Sequence, residues 1–286
     1  MSNLLRRLSQ PSMATSLPGA LARRFLRAFR SYKELPLETE VMLDITDRPA
    51  YAYCAYHAAM LAKKLGIDAL SLIEFGVAGG NGLLFLERFA ARIERALNLR
   101  VEVYGFDTGE GLPHLGGPED MPYWFRASQY RMDIDALRAK LTRAKLALGN
   151  VRETVDTFFN QYNPAPVGAI FNDLDLYTST IESLRIFDHD VNRFLPRVFM
   201  YFDDVIGSEM QMYGESNGEL LAISEFNRRH DAIHIGLNQN LLPLYNVHYR
   251  YQIYYAHLTR HPLYASYVGG DEQEAMESYL RLKGAA

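Results

Sequence analysis

The sequence predicts a single α/β domain with a mostly parallel β-sheet, helices on both faces and an antiparallel last strand. Short apolar runs alternate with amphipathic, helix-length segments from residue 51 to residue 229, which is the order that right-handed βαβ crossovers produce. The apolar residues of 247–255 then recur with a period of two, as in a strand that pairs antiparallel to its predecessor. Glycines or acidic residues follow the main strands of the parallel part, where an open α/β sheet binds its ligand.

The predicted elements follow the chain in order. A helix over 51–65 ends at Gly66, a glycine in the position of a C-terminal cap. Apolar runs predict strands over 69–75, 101–106, 167–171, 198–202 and 232–237, a weak strand over 151–155 and a last strand over 247–255. Helical spacing predicts helices over 83–97, 134–148, 180–194 and 218–229.

Composition and charge narrow the class of protein. The 286 residues are 48% hydrophobic and 22% charged, which allows a large core. A net charge of −4 gives no reason to expect nucleic acid as a partner. Cys54 is the single cysteine, which excludes an internal disulfide and a cysteine-based zinc site. No stretch approaches the roughly twenty apolar residues of a membrane span, and we expect a cytoplasmic protein.

The first 33 residues carry seven basic side chains and no acidic one. Residues 21–33 have the spacing of a basic amphipathic helix. Such an arm packs on its own domain or on a neighbouring subunit, or it contacts an anionic membrane surface. Its composition also resembles that of an organelle transit peptide.

The first strand ends in a glycine-rich turn, Glu74-Phe-Gly-Val-Ala-Gly-Gly-Asn-Gly82. Ala78 stands where the dinucleotide fingerprint needs its second glycine, and no Lys-Ser/Thr pair follows as in a phosphate-binding loop. Glu74 lies where a phosphate-binding loop would avoid an acid, so a ligand with a cationic portion fits better. The alternative is a tight turn with only a structural role.

Acidic residues follow the other strands. Asp107 ends the second strand, where a carboxylate can accept hydrogen bonds from both hydroxyls of a ribose. The later strand ends contribute Asp173, Asp175, Asp203 and Asp204, whose mutual repulsion favours a bound cation. Oxygen-only ligands suit Mg²⁺. Alternatively, some of these acids cap the following helices, and Asp173 is the first candidate for that role.

These motifs resemble, in the same order, the macrocin O-methyltransferase family of sugar-modifying, S-adenosylmethionine-dependent enzymes. The resemblance covers residues 70–230. It rests on Glu74-Phe-Gly-Val, Tyr-Gly-Phe-Asp107-Thr-Gly-Glu-Gly-Leu-Pro113, Asp173-Leu-Asp175-Leu-Tyr-Thr-Ser-Thr180, the pair Asp203-Asp204 and Leu-Ala-Ile-Ser-Glu-Phe226. Two positions depart from the family pattern: Ala78 is followed by Gly79, Gly80 and Asn81, and Leu195-Pro196-Arg197 precedes the acidic pair.

The resemblance implies a Rossmann-like class I methyltransferase fold and a set of site residues. Glu74, Gly76 and Val77, with Gly79 in the same turn, match the segment that holds the amino-acid part of S-adenosylmethionine. Asp107 matches the ribose-binding acid. Asp175, Asp203 and Asp204 match the acids that hold Mg²⁺, which in turn binds vicinal hydroxyls of a sugar. We expect Asp175 to act also as the general base.

The expected activity is O-methylation of a sugar, glycan or small-molecule hydroxyl by a homo-oligomer. Residues 1–48 form the predicted arm, 49–260 the methyltransferase domain and 261–286 a tail. One alternative is an Mg²⁺-dependent phosphatase in which Asp173 is the nucleophile and Asp175 the acid. A second is a non-catalytic ligand-binding protein of the same fold. The aromatic residues Tyr123, Trp124 and Tyr130 either cover the site as a lid or pack on the sheet.

Overall fold

The fold is a seven-stranded mixed sheet with helices on both faces. A computed structural model describes residues 25–28, 35–244 and 247–280. The strands lie in the order β3-β2-β1-β4-β5-β7-β6, and β7 runs in the direction opposite to that of the other six. Their bounds are β1 Ala69–Phe75, β2 Arg100–Asp107, β3 Lys145–Leu148, β4 Val167–Asn172, β5 Phe194–Phe202, β6 Ile233–Leu237 and β7 Ile253–Leu258. The chain runs outward from β1 in one direction and then from β4 in the other, which opens a crevice between the carboxyl ends of β1 and β4.

The helices complete two hydrophobic layers. Their bounds are α1 Leu37–Met42, α2 Pro49–Lys64, α3 Asn81–Leu97, α4 Ile134–Lys140, α5 Val151–Tyr162, α6 Tyr177–Ser183, α7 Gly218–Arg229 and α8 Gly270–Leu280. Side chains of α1 to α4 pack with one face of the sheet, and those of α5 and α7 pack with the other. The architecture is therefore the predicted Rossmann-like class I fold.

Several predicted elements have the predicted bounds or differ by one or two residues. Strand β1 and helix α7 have the predicted bounds. Strands β2, β4 and β6 and helix α3 differ from their predicted bounds by one or two residues at an end. Helix α2 begins at Pro49, a residue suited to the first turn, and is followed by Gly66 with φ +71°. These segments are long or strongly periodic, which is why their pattern sufficed.

The predicted helix 134–148 and the weak strand 151–155 are wrong. Helix α4 ends at Lys140 because the carboxylate of Glu87, on α3, accepts the backbone N–H groups of Thr142, Arg143 and Ala144 at 2.7–2.9 Å. The freed residues 145–148 pair with β2 as strand β3. Asn150 then accepts the N–H of Arg152 and caps α5, so 151–162 is helical despite its β-branched residues.

Two further predictions have the wrong length. The predicted helix 180–194 is the short α6 followed by 3₁₀ turns, and β5 already begins at Phe194. The predicted strand 247–255 starts only at Ile253, because 247–252 forms turns in which Gln252 donates to the carbonyl of Tyr249. Val247 and Tyr249 are buried as a strand pattern requires, but they reach the core from these turns.

The predicted basic helix 21–33 lies mostly outside the described residues. Residues 25–28 are helical; Leu26 packs against Leu43 and Ile45, and Arg27 donates to the carbonyl of Asp44 at 3.0 Å. This part of the arm therefore contacts its own domain. Within the described residues no helix is both long enough and apolar enough to cross a membrane.

Candidate active site

A cavity of 410 Å³ opens at the carboxyl ends of the parallel strands. The carboxyl ends of five neighbouring strands, β3, β2, β1, β4 and β5, all contribute residues to its wall, as the topology requires. The residues that line it are Gly76, Ala78, Phe106, Asp107, Thr108, Gly111, Leu112, Pro113, Tyr130, Gly149, Asn150, Val151, Asp173, Leu174, Asp175, Ser179, Asp203, Asp204 and Gln211. Of the predicted donor-binding residues, Gly76 and Asp107 lie in this wall, Glu74 and Val77 are buried behind it, and Gly79 is exposed.

The glycine turn after β1 needs glycine at its first position. Gly76 has φ +84°, and a Cβ atom there would lie 1.8 Å from the carbonyl oxygen of Asp173. Asp173 in turn donates its N–H to the carbonyl of Phe75 at 2.9 Å. The turn is therefore packed directly against the end of β4, and the backbone of Gly76 and Ala78 faces the cavity.

Glu74 lies beneath this turn and is 2% exposed. Burial raises its pKa to about 8. Its Oε1 accepts a hydrogen bond of 2.9 Å from the hydroxyl of Tyr51, while Oε2 is buried without a partner. A Cβ at Gly82 would meet Oε1 at 1.8 Å, so Gly82 gives this carboxyl its space at the start of α3.

Asp107 ties the end of β2 to the glycine turn. Its Oδ2 accepts the N–H groups of Val77 at 2.9 Å and Ala78 at 2.8 Å, and its Oδ1 accepts that of Gly109 at 2.6 Å. The carboxylate lines the cavity while it makes these bonds. Its position at the strand end fits the predicted ribose contact, and it also holds the turn that would contact the donor.

Three carboxylates meet at the opposite end of the cavity. Oxygen atoms of Asp173, Asp203 and Asp204 lie within 4.8 Å of one another. Burial, followed by repulsion from Asp203 and Asp204, raises the pKa of Asp173 well above its usual value. Burial likewise raises the pKa of Asp204 to about 6. A close, oxygen-only set of this kind, with Asp204 buried and Asp173 and Asp203 half-buried, fits a hard cation such as Mg²⁺.

Asp175 lies beside this cluster but, unlike Asp173, is not one of the three carboxylates that approach one another. It has φ +62°, and its backbone N–H donates to Oδ2 of Asp204 at 3.0 Å. Its side chain lines the cavity, and burial together with Asp204 raises its pKa to about 8. Helix α6 begins after Leu176 without a side-chain cap, so Asp173 is not its cap.

Asp204 is held by residues that the sequence analysis did not single out. The Tyr213 hydroxyl donates to Oδ1 at 2.7 Å, and the N–H of Asp204 donates to Oε2 of Glu219 at 3.0 Å. Glu219 is fully buried and its Oε1 has no partner; burial and Asp204 raise its pKa well above the usual value. Because an acidic residue in the first turn of a helix is common, nothing in the sequence indicates that Glu219 supports the site.

The residues after β3 were also missed. Gly149, Asn150 and Val151 line the cavity next to Asp107, and the N–H of Gly149 donates to the carbonyl of Asp107 at 3.0 Å. An apolar run ending in Gly-Asn was a usable signal, because the other strand ends carry the same kind of residue. The wrong helix over 134–148 concealed it.

The loop after β2 is fixed to the start of α6 by Asp120. This buried carboxylate accepts the N–H of Gly116 at 2.6 Å and both the N–H and the hydroxyl of Thr178 at 2.8 Å. Thr178 belongs to the Asp-x-Asp-x-Tyr-x-Ser-Thr motif, whose Ser179 lines the cavity. Thr178, at an unspecified position of that motif, therefore anchors a loop and does not line the cavity.

Solved structures of two methyltransferases are similar to this chain. The calicheamicin methyltransferase CalS11 has a TM-score of 0.51 and 18% identity, covering 85% of this chain and 93% of its own. The O-methyltransferase NovP has a TM-score of 0.52 and 15% identity, covering 84% of this chain and 99% of its own. No protein-family model and no curated protein matches the sequence. At these identities the likeness shows the class I methyltransferase fold.

Proposed function

We propose that this protein is an S-adenosylmethionine-dependent O-methyltransferase that acts, with Mg²⁺, on a hydroxyl of a sugar or glycan-type acceptor. One observation carries the proposal: the turn with Gly76, the strand-end Asp107 and the acids Asp173, Asp203 and Asp204 share a single cavity. The resemblance of the same motifs to the macrocin O-methyltransferase family supports it.

Different residues, at the two ends of the cavity, would bind the donor and the cation. At one end, the glycine turn and Asp107 would bind the donor, and the segment 149–151 lines the cavity at the same end. At the other end, Asp203 and Asp204 hold the cation, together with Asp173 or Asp175. S-adenosylmethionine supplies an electrophilic methyl group, and Mg²⁺ supplies charge that favours an ionised hydroxyl.

Asp175 is the proposed general base. Its carboxyl lines the cavity next to the cluster and is held in place by the N–H bond of its own backbone to Asp204. It takes the proton of the acceptor hydroxyl while the cavity aligns that oxygen with the methyl group. Asp173, which lies within the carboxylate cluster, is then the third cation ligand.

Calorimetric titration with S-adenosylhomocysteine, with and without Mg²⁺, tests the donor site. Micromolar binding that Asp107→Ala weakens at least tenfold is expected, with thermal unfolding of the variant as the fold control. Asp204→Ala should lose Mg²⁺ binding and metal-dependent turnover and keep donor binding. Failure of the wild-type protein to bind the donor product under either condition would refute the methyltransferase proposal and favour the Asp-x-Asp phosphatase.

The two candidates for the third cation ligand can be separated. Asp173→Asn should weaken Mg²⁺ binding strongly, whereas Asp175→Asn should reduce turnover more than Mg²⁺ affinity. The opposite result would restore Asp175 to the ligand set expected from the family resemblance.

The proposed homo-oligomeric state is tested by light scattering during gel filtration of the full chain.

A further inference from the structure

Exposed apolar side chains concentrate on two loops next to the cavity. Thirteen large apolar side chains are exposed among the described residues, and six of them lie on the loops after β2 and β5. We call these six the apolar rim: Tyr123, Trp124, Tyr130, Ile206, Met210 and Met212. Their exposed fractions run from 41% to 65%. Clustered apolar surface left in water is typical of a site that binds a ligand, a protein or a membrane, and its place beside the cavity favours the ligand.

The two loops meet above the acid cluster. The Tyr123 hydroxyl donates to the carbonyl of Gln211 at 3.0 Å and accepts from Nδ2 of Asn217 at 3.2 Å. The Gln211 side chain donates to the Tyr213 hydroxyl at 2.8 Å, and Tyr213 binds Asp204. A chain of hydrogen bonds therefore connects the rim to a carboxylate on the cavity floor.

The rim adjoins the cavity at Tyr130 and next to Gln211. Tyr130 and Gln211 line the cavity wall, and Met210 and Met212 flank Gln211 in the sequence. Carboxylates of the cavity lining and exposed apolar side chains of the rim therefore lie next to each other. A ligand that covers both regions must have a hydroxylated end and an apolar end.

The charge of the lining disfavours an anionic acceptor. Five of the lining residues are aspartates, and none of them is lysine, arginine or histidine. The wall therefore supplies no basic side chain that could pair with a diphosphate or carboxylate on the acceptor. The cavity favours a neutral acceptor, in contrast to a sugar nucleotide.

We infer that the acceptor is a neutral amphiphile whose hydroxyl lies at the acid cluster and whose apolar body lies on the rim. This inference rests on the proposed function and names its substrate class. It distinguishes a glycolipid or an aromatic glycoside from a free sugar or a sugar nucleotide. Binding would bury Trp124, Met210 and Met212, which are exposed in the free protein.

Three vicinal diols test the inference without knowledge of the natural acceptor. Catechol, 4-tert-butylcatechol and 4-sulfocatechol share the metal-binding hydroxyls and differ in an apolar or anionic group. Titrated into protein that holds Mg²⁺ and S-adenosylhomocysteine, the butyl compound should bind about tenfold or more tightly than catechol, since each buried carbon adds to affinity. The sulfonate should bind more weakly than catechol.

The double variant Met210→Ser/Met212→Ser should remove the butyl preference and leave the affinity for catechol and S-adenosylhomocysteine unchanged. Met276→Ser, at an equally exposed methionine on α8, is the matched control and should keep the preference. Equal affinities for catechol and its butyl derivative, or no binding of either, would overturn the inference. Loss of donor-product binding would instead refute the proposed function.

The same variants distinguish other occupants of the rim. If the double variant converts a dimer to a monomer in sedimentation velocity, the rim is an interface between copies. If it abolishes binding to neutral phosphatidylcholine vesicles, the rim contacts a lipid surface. Either result, without a butyl preference in the wild-type protein, contradicts an amphiphilic acceptor.

Discussion

Asp203 is oriented by two residues outside the acid cluster. The hydroxyl of Tyr201 hydrogen-bonds its Oδ1, and Nε2 of Gln252 donates to its carbonyl oxygen at 3.0 Å and to Tyr201 at 3.2 Å. Gln252 comes from the turns before β7, so the C-terminal part of the chain completes the site. Supporting bonds of this kind fix how a carboxylate faces a metal ion.

Removing these bonds should weaken cation binding without loss of the fold. We expect Tyr201→Phe and Gln252→Leu each to reduce affinity about tenfold, measured by terbium luminescence and Mg²⁺ competition. Tyr104→Phe is the matched control, because Tyr104 is also buried and donates to a carboxylate, Glu102, away from the cavity. Unchanged affinity in both site variants would show that Asp203 needs no such support.

The buried Glu74 makes stability depend on pH. Its folded-state pKa of about 8 lies above its usual value of 4.5, so its neutral form favours the folded state. That contribution is complete below pH 4.5 and is lost as the pH rises toward 8. Between these values it should lower the free energy of unfolding by up to about 1.4 kcal/mol per pH unit.

Glu74→Gln keeps the shape of the side chain and cannot ionise. Urea unfolding between pH 5.5 and 8 should therefore give a flatter pH profile for this variant than for the wild-type protein. The exposed Glu153→Gln serves as control and should leave the profile unchanged. Parallel profiles for Glu74→Gln and wild type would mean that Glu74 is ionised in the folded protein.

At the scale of elements, one side chain decides the course of residues 141–148. Burial opposes ionisation of Glu87, but bonds from the N–H groups of Ala144, Arg143 and Thr142 outweigh it and lower its pKa. Glu87→Ala should cost about 2 kcal/mol of unfolding free energy at pH 7, since it leaves these donors unpaired. Chemical denaturation measures the loss.

The pH dependence of this bond has the opposite sign to that of Glu74. Because the folded-state pKa of Glu87 is below its usual value, its stabilisation is present above that usual value and is lost as the pH falls through the folded-state pKa. The difference in stability between wild type and Glu87→Gln should therefore shrink on acidification. A constant difference down to low pH would contradict the role of the charged form.

The same contact explains which elements sequence reasoning can predict. The periodicity of β1, β2, β4 and α7 is local and was sufficient for them. The end of α4 depends on Glu87, more than fifty residues earlier, and no local pattern contains that information. Likewise, the sequence pattern puts Asp173 and Asp175 at one strand end, but only the folded chain shows that Asp173 joins Asp203 and Asp204 while Asp175, with φ +62°, lies beside them.

At the scale of the whole molecule, the sheet topology collects the acids, and their repulsion opposes folding. Asp173, Asp203 and Asp204 come from two adjacent parallel strands, β4 and β5, so the fold itself places like charges together. The fully buried Glu219 and the partly buried Asp175 add to the same electrostatic repulsion. A site that is unfavourable without its ligand is a common cost of function.

Neutralising the cluster should therefore stabilise the metal-free protein and remove its response to Mg²⁺. In EDTA, Asp203→Asn/Asp204→Asn should unfold at a higher temperature than wild type, because the substitution removes buried repulsion and keeps the side-chain volume.

Millimolar Mg²⁺ should raise the melting temperature of the wild type by several degrees, since binding to the folded state adds RT ln(1 + [Mg²⁺]/Kd), about 2.7 kcal/mol at one hundred times Kd. It should leave that of the double variant unchanged. Asp68→Asn/Asp231→Asn, at two exposed acids outside the cavity lining, controls for the loss of two charges. A double variant that melts below wild type in EDTA would show that hydrogen bonds to Asp203 and Asp204 outweigh their repulsion.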